Sequence, residues 1–144
     1  MNNEMLNADL TSVETSYPII PAGVYNYTVS EMKIEPTKDK NGDVVLIKLR
    51  LAQNAKDVKG RDVYPGLIIT DRISLAPTEK YTSDMIRQRL KSFQRACFTA
   101  DSCPTAFAPL EQYIGKSVTV RVKIESDPKG VYDDSNRIAR YIEV

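Results

Sequence analysis

Apolar and polar residues alternate with a period of two through much of the chain, and this pattern predicts five β-strands. The alternation is most regular over Val44–Leu51, where the odd-numbered residues are predicted to face a core while Lys48 and Arg50 face away. The other four predicted strands follow the same rule: Val24–Ile34, Val63–Leu75, Ser117–Ile124 and Arg137–Val144.

Two of these strands carry irregularities. In the first strand the apolar positions are odd-numbered up to Val29 and even-numbered from Met32, and this slip predicts a β-bulge near Ser30-Glu31. The third strand is interrupted by a Pro-Gly pair, and Asp71 falls on its inward side. Asp71 therefore lies either at the rim of a barrel or in a strand whose phase is shifted by one residue.

One segment has the period of an α-helix. It is predicted to run from Asp84 to about Cys97, with Thr82 or Ser83 as the N-cap. Its apolar stripe follows the spacing i, i+4, i+7, i+11: Ile86, Leu90, Phe93 and Cys97. Four cations lie off this stripe and are interpreted as a solvated helix surface: Arg87, Arg89, Lys91 and Arg95.

The predicted order of elements is β-β-β-α-β-β, an all-β fold with one helix. Parallel folds would need a helix in every crossover, and a sandwich would need more strands. The order matches the five-stranded OB-fold, a partly open Greek-key barrel in which we expect the helix to plug one end. Residues 1–16 are acidic and lack a clear period, so we expect a flexible N-terminal arm before an OB-fold domain over residues 17–144.

Composition limits the class of protein without naming a function. The 144 residues are 42% hydrophobic and 27% charged, as in an ordinary globular protein. No apolar run approaches the length of a membrane span, and the first residues lack the basic and apolar regions of a secretory signal. We therefore expect a cytoplasmic location without membrane contact, in the host cell if the protein is viral.

Catalysis has few candidate groups. The chain has no histidine and two cysteines, which excludes histidine-based nucleophile activation and a zinc knuckle within it. Asp133-Asp134 and the Glu31-x-Lys33 pattern are acidic candidates for a metal-dependent nuclease, but a solvated turn and a strand edge explain them as well. We expect no enzyme activity, no cofactor and no metal, with Cys97 as a small buried hydrophobe.

The charge is unevenly distributed although its sum is only +1. The segment from Val44 to Arg95 contains eleven basic residues and five acidic ones. An OB-fold binds ligands on its second and third strands and on the flanking loops. There the chain offers candidate phosphate contacts and stacking tyrosines: Lys48, Arg50, Lys59, Arg61, Arg72 and Lys129, then Tyr64 and Tyr132. Lys38 and Lys40 add charge to the first loop, and Gly60 either allows a phosphate to approach the backbone or is a plain hairpin glycine.

Three segments resemble a family of phage-encoded single-stranded DNA-binding proteins: PAGVYNYTVSEMKI, KGRDVY and SNRIARYIEV. The helix RQRLKSFQRAC followed by GKSVTVRV also fits the spacing, so the resemblance covers roughly residues 17–144. It implies sequence-nonspecific, non-catalytic binding of single-stranded DNA in phage DNA replication or recombination. Many single-strand binders end in an acidic tail, whereas the acidic segment of this chain is its N-terminus.

Two further hypotheses stay open. A small phage barrel can instead be a structural or replisome protein-protein interaction module, which would bind partners without nucleic acid. A nuclease would need clustered carboxylates that the sequence does not show. The candidate partners are single-stranded DNA, replication or recombination proteins, and further copies of the same chain.

Overall fold

The computed structural model describes residues 4–9, 18–37, 42–126, 128–130 and 134–143. Its seven strands are β1 (Gly23–Pro36), β2 (Asp43–Leu51), β3 (Ala55–Lys56), β4 (Asp62–Val63), β5 (Ile68–Ser74), β6 (Ser117–Glu125) and β7 (Ser135–Ile142). One α-helix, α1 (Ser83–Cys97), lies between β5 and β6, and single 3-10 turns occur at Glu4–Asn7 and Leu110–Gln112. No helix in the described part of the chain is long and apolar enough to cross a membrane.

The five long strands form one antiparallel sheet in the order β5-β2-β1-β6-β7, and β3 pairs with β4 in a separate hairpin. The all-β fold with one helix is therefore confirmed. The predicted third strand is in fact two: its first residues pair in the hairpin, and β5 begins only after the Pro-Gly pair. The backbone turns there because Gly66 has a φ of 121°, a conformation that favours glycine.

The predicted bulge in the first strand is confirmed. Val29 pairs with Leu49 and Glu31 with Lys48, so Ser30 has no partner of its own on β2. The Ser30 hydroxyl donates a hydrogen bond of 3.1 Å to the carbonyl of Lys48. A second irregularity lies between β6 and β7, and it matters for the surface described below.

The strands β5 and β7 are the two edges of the sheet, and we call the gap between them the seam. Among the described residues no backbone ladder joins these edges, so a closed barrel is not confirmed. Side chains bridge the seam instead. The Tyr141 hydroxyl donates a 2.7 Å hydrogen bond to Asp71, whose other carboxylate oxygen accepts a 2.9 Å hydrogen bond from Arg89. Asp71 thus has the predicted inward phase and lies at the rim.

The helix covers one end of the sheet and contributes to an aromatic core. Thr82 is the N-cap and accepts a hydrogen bond from the backbone of Met85, as one of the two predictions had it. The Phe93 ring is fully buried, and it stacks on Tyr113 at 5.2 Å and meets the edge of Tyr141 at 5.0 Å between ring centroids. Cys97 is 7% exposed, which confirms its prediction as a buried hydrophobe.

The irregular segment after the helix is held by one buried side chain, Gln94. Its amide nitrogen donates to the carbonyls of Pro104 and Ala106 at 2.8 and 3.1 Å. Its amide oxygen accepts from the backbone of Ala108 at 3.0 Å and from the Tyr113 hydroxyl at 2.6 Å. These bonds satisfy a polar group inside the core and fix the path of residues 104–108.

Before β1, the segment from Pro18 to Pro21 lies against the start of β7. The Asn136 amide donates to the carbonyl of Ile20 and accepts from its backbone nitrogen, both at 2.9 Å, and Ile20 is fully buried. Further along, the Tyr25 hydroxyl donates a 2.7 Å hydrogen bond back to the Pro21 carbonyl. The Pro-x-Gly-x-Tyr pattern is thus a local structural unit. Most of the predicted arm, namely residues 1–3 and 10–16, lies outside the described residues.

Candidate nucleic-acid interface

Three of the predicted phosphate contacts lie on one surface of the sheet. Arg50 pairs with Ile68, Lys48 with Thr70 and Leu46 with Arg72 in the register of β2 and β5. Cross-strand partners project to the same side of a sheet, so Lys48, Arg50 and Arg72 share the side opposite to the buried core. We call this side of β1, β2 and β5 the strand face.

Acidic residues of β1 reduce the charge of the strand face. Glu31 forms a 3.3 Å salt bridge with Lys48, and Glu35 forms one of 2.9 Å with Lys33. The hydrogen bond from Lys33 lowers the pKa of Glu35, and the nearby charges of Arg72 and Lys48 add to this effect. The sequence-based count of charges missed these acids because they precede Val44, and Glu31 lies opposite Lys48 only once β1 and β2 pair.

The strand face also buries one apolar residue that the alternation predicted to be outside. Leu46 is 4% exposed although it lies beside Lys48 on the outer side of β2. Its register partners are Lys33 and Arg72. The aliphatic stems of such long side chains cover apolar surface while their charged ends stay in water. Leu46 therefore provides an apolar surface on which the aliphatic stems of Lys33 and Arg72 pack.

The KGRDVY stretch forms the hairpin of β3 and β4, and the hairpin is built on Asp57. This carboxylate is buried and accepts hydrogen bonds from the backbones of Lys59 and Arg61 and, at 2.7 Å, from Arg61 Nε. Burial alone would raise the pKa of Asp57, but these hydrogen bonds outweigh it and hold the pKa below its usual value. Gly60 has a φ of 81° in the turn, so the hairpin explains this glycine.

Arg61 therefore has a structural partner, which sequence reasoning did not find. Its side chain is 47% exposed even so, and Lys59 beside it is exposed as well. The hairpin is attached to the rest of the protein by a 2.8 Å hydrogen bond from the Val58 backbone to the Ile19 carbonyl. Both predicted cations project from a turn whose conformation is fixed.

Exposed apolar groups lie near the end of the strand face. Tyr64 is 70% exposed, and Ile68, the partner of Arg50, is 44% exposed. The backbone of Gly66 donates a 2.9 Å hydrogen bond to the Leu51 carbonyl, which keeps the segment after Tyr64 at the end of β2. These groups are available to contact the planar faces of unpaired bases.

The loop between β6 and β7 is described only in part. Lys129 is exposed there, whereas Tyr132 and Asp133 lie outside the described residues. Lys38 and Lys40 of the first loop lie outside them too. For these residues the candidate roles remain predictions from the sequence.

A second group of cations, which sequence reasoning missed, lies on the outer side of β6 and β7. Arg121 pairs with Arg140 and Lys123 with Arg137, and all four are exposed. Ala139 is unpaired between them, so the irregularity brings Arg137 and Arg140 to the same side despite their odd and even numbers. Among the described residues none of the four forms a salt bridge. The alternation of apolar and polar residues in VTVRVKIE was the sequence signal that could have placed Arg121 and Lys123 on the outer side.

The helix cations fall into two kinds. Arg87 pairs with Asp84 at 3.4 Å while its side chain stays 78% exposed, in agreement with a solvated surface. Arg89 differs, because it forms a 2.9 Å salt bridge with Asp71 of β5. Burial by itself would lower the pKa of Arg89, but the charge of Asp71, the hydrogen bond to Tyr81 and the nearby Tyr141 together outweigh it, and the pKa is raised. Arg89 is thus part of the bridge across the seam.

Groups suited to covalent or metal chemistry are scarce in the part of the chain that the structure describes. Burial raises the pKa of the Cys97 thiol to about 12, which removes it as a nucleophile at neutral pH. No group of three or more Cys, Asp or Glu residues is placed to hold a metal ion within the described ranges.

Comparison with known proteins adds no assignment to this geometry. No family model matches the chain, and a search of curated proteins finds no similar sequence.

Proposed function

We propose that the protein binds single-stranded DNA without sequence preference on the strand face. The observation that carries this proposal is the register of β2 and β5, which places Lys48, Arg50 and Arg72 on one side of the sheet. Ile68 is the register partner of Arg50 and is exposed, and Tyr64, which precedes β5, is exposed as well. Cations that follow a backbone, next to apolar groups that can stack on bases, are the common features of sequence-tolerant single-strand binding.

The chemistry required is simple. A single strand carries one phosphate per nucleotide, and its unpaired bases expose planar faces. Each base stacked on an aromatic ring contributes about 1–3 kcal/mol, so Tyr64 suffices for one such contact. Hydrogen bonds to base edges are not needed for this kind of binding. The main polar groups of the strand face are accordingly cations, and not neutral hydrogen-bond donors and acceptors.

The fold supports the proposal. Five antiparallel strands with one helix between the third and fourth long strands agree with a partly open OB-fold, in which side chains bridge the gap between the edges. In that fold the second and third strands form the usual ligand-binding face. A role in phage DNA replication or recombination rests on the resemblance of three segments to phage-encoded single-stranded DNA-binding proteins.

The test is a fluorescence anisotropy titration with labelled oligo-dT at several salt concentrations. We expect Lys48→Glu with Arg50→Glu to weaken binding and to lower the slope of log affinity against log salt by about 0.7 for each phosphate that is no longer bound. The matched control is Arg87→Glu with Lys91→Glu, which changes the same charge on the exposed side of α1. Binding that is absent in the wild type, or that ignores salt, would contradict the proposal.

A second candidate function, protein interaction, is favoured by a different surface. A groove of about 790 Å³ lies between α1 and the segment that follows it, with Leu90, Phe98 and Phe107 among its apolar lining and Arg87 and Lys91 among its cations. This combination fits an acidic partner segment that also carries apolar residues. Light scattering and titration with such a peptide, both without nucleic acid, separate this function from DNA binding.

A further inference from the structure

We propose that the seam and the adjoining outer side of β6 and β7 form a second phosphate-binding surface, onto which a bound single strand continues from the strand face. This inference deepens the proposed function and rests on it for the identity of the ligand. The phosphate site shares Arg72 with the strand face but depends on Lys123 and Arg137, which lie outside it, so variants of these two residues test the two proposals separately.

The outer side of the seam contains a cavity of about 260 Å³. Three cations line it, one from each adjacent strand: Arg72 of β5, Lys123 of β6 and Arg137 of β7. Its acids are Asp71 and Glu125. Asp71 already binds Tyr141 and Arg89, so its negative charge is engaged on the helix side of the seam. The cavity therefore combines three positive side chains with one uncommitted carboxylate.

The register makes these cations costly in the absence of a ligand. Arg121 faces Arg140 and Lys123 faces Arg137 directly across β6 and β7, and like charges in that position destabilise a sheet. On the strand face, by contrast, Glu31 is placed opposite Lys48 and forms a salt bridge with it. A phosphate group between the paired cations would remove their repulsion and satisfy several donors at once.

Arg72 connects the two surfaces. It is the register neighbour of Leu46 on the strand face, and it also lines the seam cavity with Arg137. A backbone that leaves Lys48 and reaches Arg72 therefore finds the next cations, Lys123 and Arg137, on the walls of the same cavity. The bound strand is thus expected to pass over the edge of the sheet instead of ending at β5.

The first experiment compares Lys123→Gln with Arg137→Gln against Arg87→Gln with Lys91→Gln, using oligo-dT of increasing length. We expect the first pair to lower the salt slope by about 1.4, at about 0.7 per phosphate, and to weaken long oligonucleotides far more than short ones. The control pair should leave both quantities unchanged. The melting temperature of the first pair should equal or exceed that of the wild type, since repulsion is removed.

The second experiment uses inorganic pyrophosphate as the probe. Nuclear magnetic resonance should show the Nε signals of Arg72 and Arg137 shifting with pyrophosphate but not with sodium chloride of equal ionic strength. Oligo-dT binding that is unaffected by the Lys123 and Arg137 changes would overturn the second surface and leave the proposed function intact. Pyrophosphate shifts without any oligo-dT binding would overturn the proposed function and leave the phosphate site intact. The absence of both pyrophosphate shifts and oligo-dT binding would overturn the two proposals together.

Discussion

At the scale of single residues, Asp57 shows how one carboxylate determines the form of a polar loop. It accepts two backbone hydrogen bonds and one from the Arg61 side chain, and it is 4% exposed. An aspartate that accepts several N–H groups organises a turn in the way an N-cap residue organises a helix end. The two hairpin cations project from the surface because this buried acid fixes the turn beneath them.

The lowered pKa of Asp57 gives the hairpin a defined pH dependence. Since the folded value lies below the usual 3.8, the carboxylate stabilises the folded state above that value, and the contribution is lost as the pH falls through the folded pKa. We expect Asp57→Asn to remove this dependence and to speed hydrogen exchange at the Lys59 and Arg61 amides. Exchange measured between pH 6 and pH 3 tests this, with exposed Asp62→Asn as the control.

The hairpin also shows what sequence patterns can and cannot give. Alternation in Val44–Leu51 predicted the buried side of β2 at four positions, because one face of that strand packs on the core. Nothing in the segment around Asp57 distinguishes a buried aspartate from a solvated one. Likewise, Glu31 becomes the partner of Lys48 only through the register of two strands, and a pattern within one strand does not contain that register.

At the scale of elements, the helix and the irregular segment after it act as one unit because of Gln94. The helix period predicted the stripe Ile86, Leu90, Phe93 and Cys97, which does not include Gln94. In the structure Gln94 is 6% exposed and makes four hydrogen bonds to residues 104–113. A polar residue next to an apolar stripe was not sufficient to predict that role.

We expect Gln94→Ala to destabilise the protein by about 1–3 kcal/mol, because the buried Ala108 N–H and Tyr113 hydroxyl lose an acceptor. Urea unfolding followed by circular dichroism measures the change. Gln88→Ala on the exposed side of the same helix is the matched control, since helix propensity changes equally. A decrease of the same size in both variants would contradict the role assigned to Gln94.

At the scale of the whole molecule, side chains form the hydrogen bonds between the two edges of the sheet at the seam. The order of elements was sufficient to predict one antiparallel arrangement with a helix over its end. It could not predict how the edges meet, because Asp71, Arg89 and Tyr141 come from three distant segments. Burial is the main reason that the pKa of Tyr141 is raised well above 10, so its hydroxyl stays protonated and donates to Asp71.

Tyr141→Phe removes this hydrogen bond while keeping the ring against Phe93. We expect a decrease of about 1–3 kcal/mol in the free energy of unfolding, since the bond is made to a charged group inside the rim. Tyr64→Phe, at a 70% exposed position, should stay within about 0.5 kcal/mol of the wild type. Equal stability of wild type and Tyr141→Phe in urea would show that the seam does not depend on this hydrogen bond.

The central strand β1 pairs with β6 over Gly23–Thr28 and with β2 over Tyr27–Pro36. Among the described residues, the two halves of the sheet are therefore joined along β1 and, at the seam, by α1 and by side chains of β5 and β7. A polyanion that binds Arg72 of β5 and Arg137 of β7 together would add a further link between the two halves. Its binding would then raise the free energy of unfolding by about 2.7 kcal/mol at a free polyanion concentration one hundred times the dissociation constant. The melting temperature would rise with the fraction of protein that is bound.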